Sequence, residues 1–123
     1  MSVIEQARMA YGPAAAIIRT PRATEHQVFS QITAQLRHAI GSGNHRDLVD
    51  ALHANRKLWT TLAVDVADDE NDLPRDLRAR IFYLAEFTQH HTGKVLRQQA
   101  DAEVLIDINR AVMAGLSGQE AKA

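Results

Sequence analysis

The segment Leu48–Val66, LVDALHANRKLWTTLAVDV, constrains the fold of this chain more than any other stretch. Leu48, Leu52, Asn55, Trp59, Leu62 and Val66 recur at spacings of four, three, four, three and four. That is the period of one helical face, held for about five turns. Val49, Ala51, Leu58 and Ala63 widen the stripe, so the helix has to bury more than one side. Such a helix cannot stand in water alone and needs other amphipathic helices to cover it. It also carries the single tryptophan and, in Asn55, a polar residue inside the apolar row.

The flanking sequence supplies those helices. Ser2 with Glu5 has the spacing of a capping box, and Val3, Ile4, Ala7 and Tyr11 share a face until Gly12-Pro13 stops the helix. Ala14–Ile18 has room for a further turn or two. Thr20-Pro21-Arg22-Ala23 reads as a break, after which Thr24 with Gln27 forms a second capping box. The next helix turns Val28, Phe29, Ile32, Leu36, Ala39 and Ile40 inward and closes at Gly41-Ser42-Gly43. Asn44 then caps the central helix, and so short a turn makes the two helices antiparallel neighbours.

Beyond Val66, the run Ala67-Asp68-Asp69-Glu70-Asn71-Asp72 has no periodicity and reads as a solvated loop. Pro74 suits the first position of the following helix, where its missing N–H costs nothing. Leu77, Ile81, Leu84, Thr88, His91 and Val95 form that helix's inward face, flanked by Phe82, Ala85 and Phe87. Gly93 marks close packing or a bend. A break at Gln98–Asp101, with Asp101 as cap, precedes a last helix that faces Leu105, Ile108, Asn109, Val112 and Leu116 inward. Gly115, Ser117 and Gly118 end it. The expectation is an all-α, small single-domain bundle of about five helices. Residues 1–23 form a peripheral helix and linker, 24–116 the bundle and 117–123 a disordered tail.

Composition narrows the function. The formal charge is -1 with both signs interspersed, which offers no electrostatic footprint for nucleic acid or an anionic membrane. The absence of cysteine removes disulfides, thiolate catalysis and cysteine zinc sites. The N-terminus lacks the layout of a secretory signal, and no apolar run approaches the ~20 residues that span a bilayer. A cytoplasmic protein is expected.

No chemistry-bearing constellation emerges. A di-iron bundle needs paired Glu-x-x-His motifs, whereas Glu86 and His90 are spaced one residue too far and have no second copy. His26, His38, His45 and His53 are scattered, and His91 suits a hydrogen-bonded position within the apolar face. No metal site, cofactor or catalytic residue is expected, and Ser30 and Ser42 have no evident histidine–carboxylate partners. Arg75, Arg78 and Arg80 gather where a helix dipole disfavours cations, which points to pairing with the acidic loop or to an acidic partner. Asn55 and Asn109 interrupt apolar faces. They either fix helix register through internal hydrogen bonds or line a groove that offers amides to an inserted segment.

Several motifs share an order and spacing. They are Thr20-Pro21-Arg22 with Glu25 and Phe29, then Ala51-Leu52 with Asn55 and Leu58-Trp59. Asn71, Leu73-Pro74 and Leu77-Arg78-Ala79 follow, and Leu105-Ile106 with Ile108-Asn109, Met113 and Gly115-Leu116 completes the set. Together they resemble the FlaF family, regulators of flagellar biogenesis in alphaproteobacteria, across Tyr11 to Leu116. The resemblance implies a cytoplasmic non-enzyme that promotes flagellin synthesis and export and associates with flagellin. FlbT, an opposing regulator that acts on flagellin mRNA, is a further implied partner. A chaperone or adaptor for flagellin is the first expectation, and a regulator acting directly on flagellin mRNA is the alternative. Asn55, Trp59, Leu73, Pro74, Arg78 and Asn109 are the expected partner-binding residues. Oligomeric state stays open.

Overall fold

Asn44 opens the central helix as its sequence position requires. Its backbone is extended (φ -86°, ψ 117°) and its Oδ1 accepts from the Asp47 N–H at 3.1 Å. This occupies one of the donors a helix start leaves free. Gly43 just before it takes φ +68°, a left-handed conformation that glycine adopts without a Cβ clash.

The computed structural model describes residues 21–122, with side chains from 26 to 114. These residues form four helices: α1 (Pro21–Ser42), α2 (His45–Ala67), α3 (Arg75–Leu96) and α4 (Glu103–Lys122). No strand occurs among them. The all-α class is as expected, with four helices where about five were anticipated. The helix expected at Ser2–Tyr11 lies outside the described residues. Short turns make successive helices antiparallel. α2 lies between α1 and α3, and α4 closes the bundle mainly against α1.

Three helix ends depart from the sequence reading. α1 is already under way at Pro21, so Thr24 sits inside the helix and the break expected through Ala23 does not occur. Proline is tolerated in a first turn because that turn's N–H groups have no intrahelical acceptor anyway. α4 runs through Gly115, Ser117 and Gly118 to Lys122, where an end and a disordered tail were expected. A glycine costs a helix only about 1 kcal/mol and does not by itself stop one. Pro74 is the cap residue rather than the first residue of α3, and its carbonyl accepts from the Arg78 N–H at 3.0 Å.

The core falls into two apolar clusters. Phe29, Leu58, Trp59, Leu62, Val66, Leu73 and Ala85 fill the end bearing the acidic loop. Leu36, Ala39, Ala51, Leu52, Val95, Ala102, Leu105 and Ile106 fill the other. Phe29 meets Trp59 edge-on, with ring centroids 5.7 Å apart, a favoured aromatic geometry. Between the clusters each helix contributes a buried polar residue: Thr33, Asn55, Thr88 and Asn109. On α3 the buried line is Ala85, Thr88, Thr92 and Val95, so the face is rotated from the one expected. His91 is consequently only half-buried. Its Nε2 meets the Asp101 carbonyl at 2.7 Å, and its ring stacks on Phe87. α2 and α3 are also clasped reciprocally, Arg56 donating to the Gln89 carbonyl at 3.1 Å and Gln89 to the Arg56 carbonyl at 3.2 Å.

The expected break after α3 is present, but Asp101 stands one residue ahead of the start of α4's capping turn. Its carbonyl, rather than its carboxylate, is the group held, by His91. α3 closes instead by a paired motif in which Gln99 N–H bonds the Lys94 carbonyl at 2.8 Å and Gln98 N–H the Val95 carbonyl at 3.0 Å. This is a Schellman closure, and it places Gln98 at φ 61°. Gly93 stands within α3. A Cβ there would meet only the flexible Arg97 guanidinium, nearest atom 3.2 Å, so close backbone packing is not its role.

Gln98 holds a left-handed backbone that disfavours a side chain. Gln98→Gly is expected to stabilise the fold by about 0.5–1 kcal/mol, net of glycine's extra freedom when unfolded. Thermal unfolding should show Tm rising by roughly 2–5 °C. An unchanged or lower Tm would mean that the closure carries no strain.

Candidate functional site

The six residues expected to bind a partner fall into two groups, and of them only Arg78 lines an open groove. Asn55, Trp59 and Asn109 are fully buried. Indole N–H can only donate, and Trp59 Nε1 donates to Asn109 Oδ1 at 2.9 Å. That contact turns the Asn109 Nδ2 toward Asn55, where it donates to Oδ1 at 2.8 Å. Asn55 must therefore present its oxygen, and its own Nδ2 is left buried without a hydrogen-bond partner. The geometry is that of the register device weighed for these asparagines. It joins α2 to α4 and offers no amide to solvent.

Leu73, Pro74 and Arg78 belong to the loop between α2 and α3. Leu73 is buried in the Trp59 cluster, whereas Pro74 is exposed. Asn71 shapes the loop: its Nδ2 donates to the Asp65 carbonyl at 2.9 Å, and its Oδ1 accepts from the Leu73 N–H at 2.9 Å. Arg78 reaches back across the turn, donating through Nε to the Val66 carbonyl and through Nη2 to the Asp68 carbonyl, each at 2.9 Å. A cation at a helix C-terminus satisfies free carbonyls and opposes the negative end of the dipole. Arg78 thus closes α2 through backbone oxygens, where pairing with the loop's carboxylates was one of the sequence expectations.

Negative charge concentrates at this end. Burial raises the Asp65 carboxyl above the ordinary aspartate range, and the nearby Asp68 carboxylate raises it further. Asp65 Oδ2 is buried with no hydrogen-bond partner. Beside this loop an open groove of about 590 Å³ runs between the end of α2 and the outer face of α3. Val66, Ala79, Phe82 and Tyr83 supply its apolar lining, and Asp69, Arg75, Arg78 and Glu86 its polar border. Phe82 is 40% exposed and Tyr83 67% exposed, large aromatic areas to leave in water. In the sequence Phe82 flanks the expected inward stripe and Tyr83 belongs to neither stripe nor flank. The available signal was that both aromatics lie off the Leu77–Ile81–Leu84 line. A second hollow, of about 420 Å³, lies at the opposite end between the two turns. Among the described residues no three His, Asp or Glu side chains are grouped to hold a metal ion. No described helix is long and apolar enough to cross a membrane.

Comparison with known proteins gives a family. The family model for "Flagellar protein FlaF" matches residues 7–116. No curated protein and no solved structure matches the chain.

The buried amide chain predicts unequal substitutions. Asn109→Leu strands both the Trp59 indole N–H and Asn55 Oδ1, at about 1–3 kcal/mol for each buried group. Asn55→Leu strands only Asn109 Nδ2 while removing an amide hydrogen-bond donor that is already unpartnered. Denaturant unfolding should therefore find Asn109→Leu clearly the less stable of the two. Equal destabilisation would contradict the donor order described here. For Asp65, a raised native pKa means the folded chain holds its proton more tightly than the unfolded chain. Its contribution is fully present below the unfolded value and is lost as pH rises through the folded one. Asp65→Asn should melt above the parent at pH 7, with the gap closing as pH falls to the ordinary aspartate range. A gap that widens on acidification would reverse the sign.

Proposed function

The chain belongs to the FlaF family of flagellar proteins, and from that premise we propose that it is a non-catalytic protein that binds flagellin. In this reading it promotes flagellin synthesis and export as a chaperone or adaptor in the cytoplasm. The family match across residues 7–116 carries the proposal. Two physical features support it. The formal charge of -1 gives little attraction for RNA phosphates, whose binding draws on clustered cations. The exposed aromatics on α3 offer apolar area that a protein partner would cover.

Direct action on flagellin mRNA is the competing reading, and salt separates the two. Titration of the full chain with purified flagellin in a calorimeter should give saturable binding that persists at moderate salt, carried by apolar contact. A flagellin mRNA leader should show no binding that survives the same salt step, because phosphate contacts weaken steeply as counterions are added. Absence of flagellin binding, or salt-sensitive capture of the leader alone, would overturn the proposal.

A further inference from the structure

The face of α3 that bears the groove is regular. Arg75, Ala79, Phe82 and Glu86 follow one another at helical spacing, and Tyr83 stands beside Phe82. At 1.5 Å per residue this is a surface about 16 Å long, the length of roughly three helical turns. Nearby, at the end of α2, Val64 is 66% exposed. Apolar and aromatic side chains are thus exposed along one side of the bundle while the core behind them is closed.

The charge at the loop end of this face is predominantly negative. Between Asp65 and Arg80 there are six carboxylates and three arginines. One of those arginines, Arg78, is committed to the Val66 and Asp68 carbonyls. Asp68, Asp69, Glu70 and Asp72 are all exposed.

The geometry points to a docking site for a partner protein's amphipathic helix, with apolar residues seated against Phe82, Tyr83 and Ala79 and basic residues meeting the Asp68–Asp72 loop. A peptide that binds by adding a β-strand would need a strand edge for its backbone groups, and the described residues hold no strand. A helix satisfies its own backbone and needs only the apolar face and the charge. Nucleic acid and anionic lipid would bring phosphates against carboxylates. The inference rests on the reading of this chain as a binding protein and assigns the surface that binds.

Two synthetic helical peptides test it. Both carry leucines at i, i+3, i+4 and i+7, and one ends in lysines where the other ends in glutamates. Fluorescence anisotropy against the full chain should show the lysine peptide binding at least tenfold more tightly. Phe82→Ser/Tyr83→Ser should weaken that binding tenfold or more, with helicity preserved by circular dichroism. Asp69→Lys/Glu70→Lys, confined to exposed loop positions, should reverse the preference between the peptides even if the aromatic variant misfolds. Equal affinity for the two peptides would overturn the inference. So would unaltered binding to a folded aromatic variant, or self-association of the parent that the aromatic substitutions abolish. Purified flagellin separates this inference from the proposed function. Flagellin bound equally by parent and a folded aromatic variant overturns the docking site alone. Failure to bind flagellin while the lysine peptide binds as described overturns the flagellin reading and leaves the docking site standing.

Discussion

The Trp59 indole N–H is the constraint from which the interior of this bundle is arranged. It has one proton to give and nothing to accept with, so the group facing it must be an acceptor. Asn109 supplies that oxygen across 50 residues of sequence, and Asn55 supplies the next. The orientation of both amides is thereby settled, and α2 is held in register with α4. A fully apolar core would allow neighbouring helices to slide or rotate at small cost, whereas a hydrogen-bonded amide in a low-dielectric interior tolerates little displacement. The unpartnered Asn55 Nδ2 is the cost of this arrangement, and Thr33 Oγ1 and Thr88 Oγ1 are likewise buried without partners. The band where the two apolar clusters meet is therefore specific in geometry and weak in hydrogen-bond satisfaction.

The loop between α2 and α3 follows a different logic. Most of its acceptors are backbone oxygens: Asn71 holds the Asp65 carbonyl and Arg78 those of Val66 and Asp68, while Asn71 Oδ1 and Asp68 Oδ1 accept from the Leu73 and Glu70 N–H groups. Closure therefore draws little on the loop's carboxylates, which remain exposed at the surface. The exception is Asp65, whose partial burial raises its pKa beside Asp68. The same turn that completes the core thus presents a negative rim next to the Phe82–Tyr83 face.

The positions of most helices were legible because their signals are local. Asn44 as a cap, Gly43 as a left-handed closure and the non-helical acidic run depend on atoms within a few residues. The Thr24 cap and the stop at Gly115–Gly118 misled for the complementary reason: these are preferences worth about 1 kcal/mol, which a continuing helix overrides. The site was less legible. Asn55 and Asn109 stood out as polar residues on apolar faces, but their sequence positions could not say whether a partner or this chain met their amides. Tyr83 carried almost no signal, since an aromatic off the stripe becomes informative only when its exposure is known.

Helical periodicity, the capping residues, the charge balance and the absence of cysteine belong to the sequence alone. They determined an all-α chain organised around Leu48–Val66, because hydrogen bonds within a helix and the 3.6-residue repeat need no distant partner. Only the tertiary structure decided which side of each stripe is sealed. It also decided that Arg78 turns to carbonyls, that the asparagines face each other, and that Phe82 and Tyr83 remain outside. Each residue turns a helix by 100°, so a stripe read from sequence is uncertain by about one residue in rotation. That single step separates Thr92 in the core from His91 at its edge. It is settled by packing against helices far away in the chain.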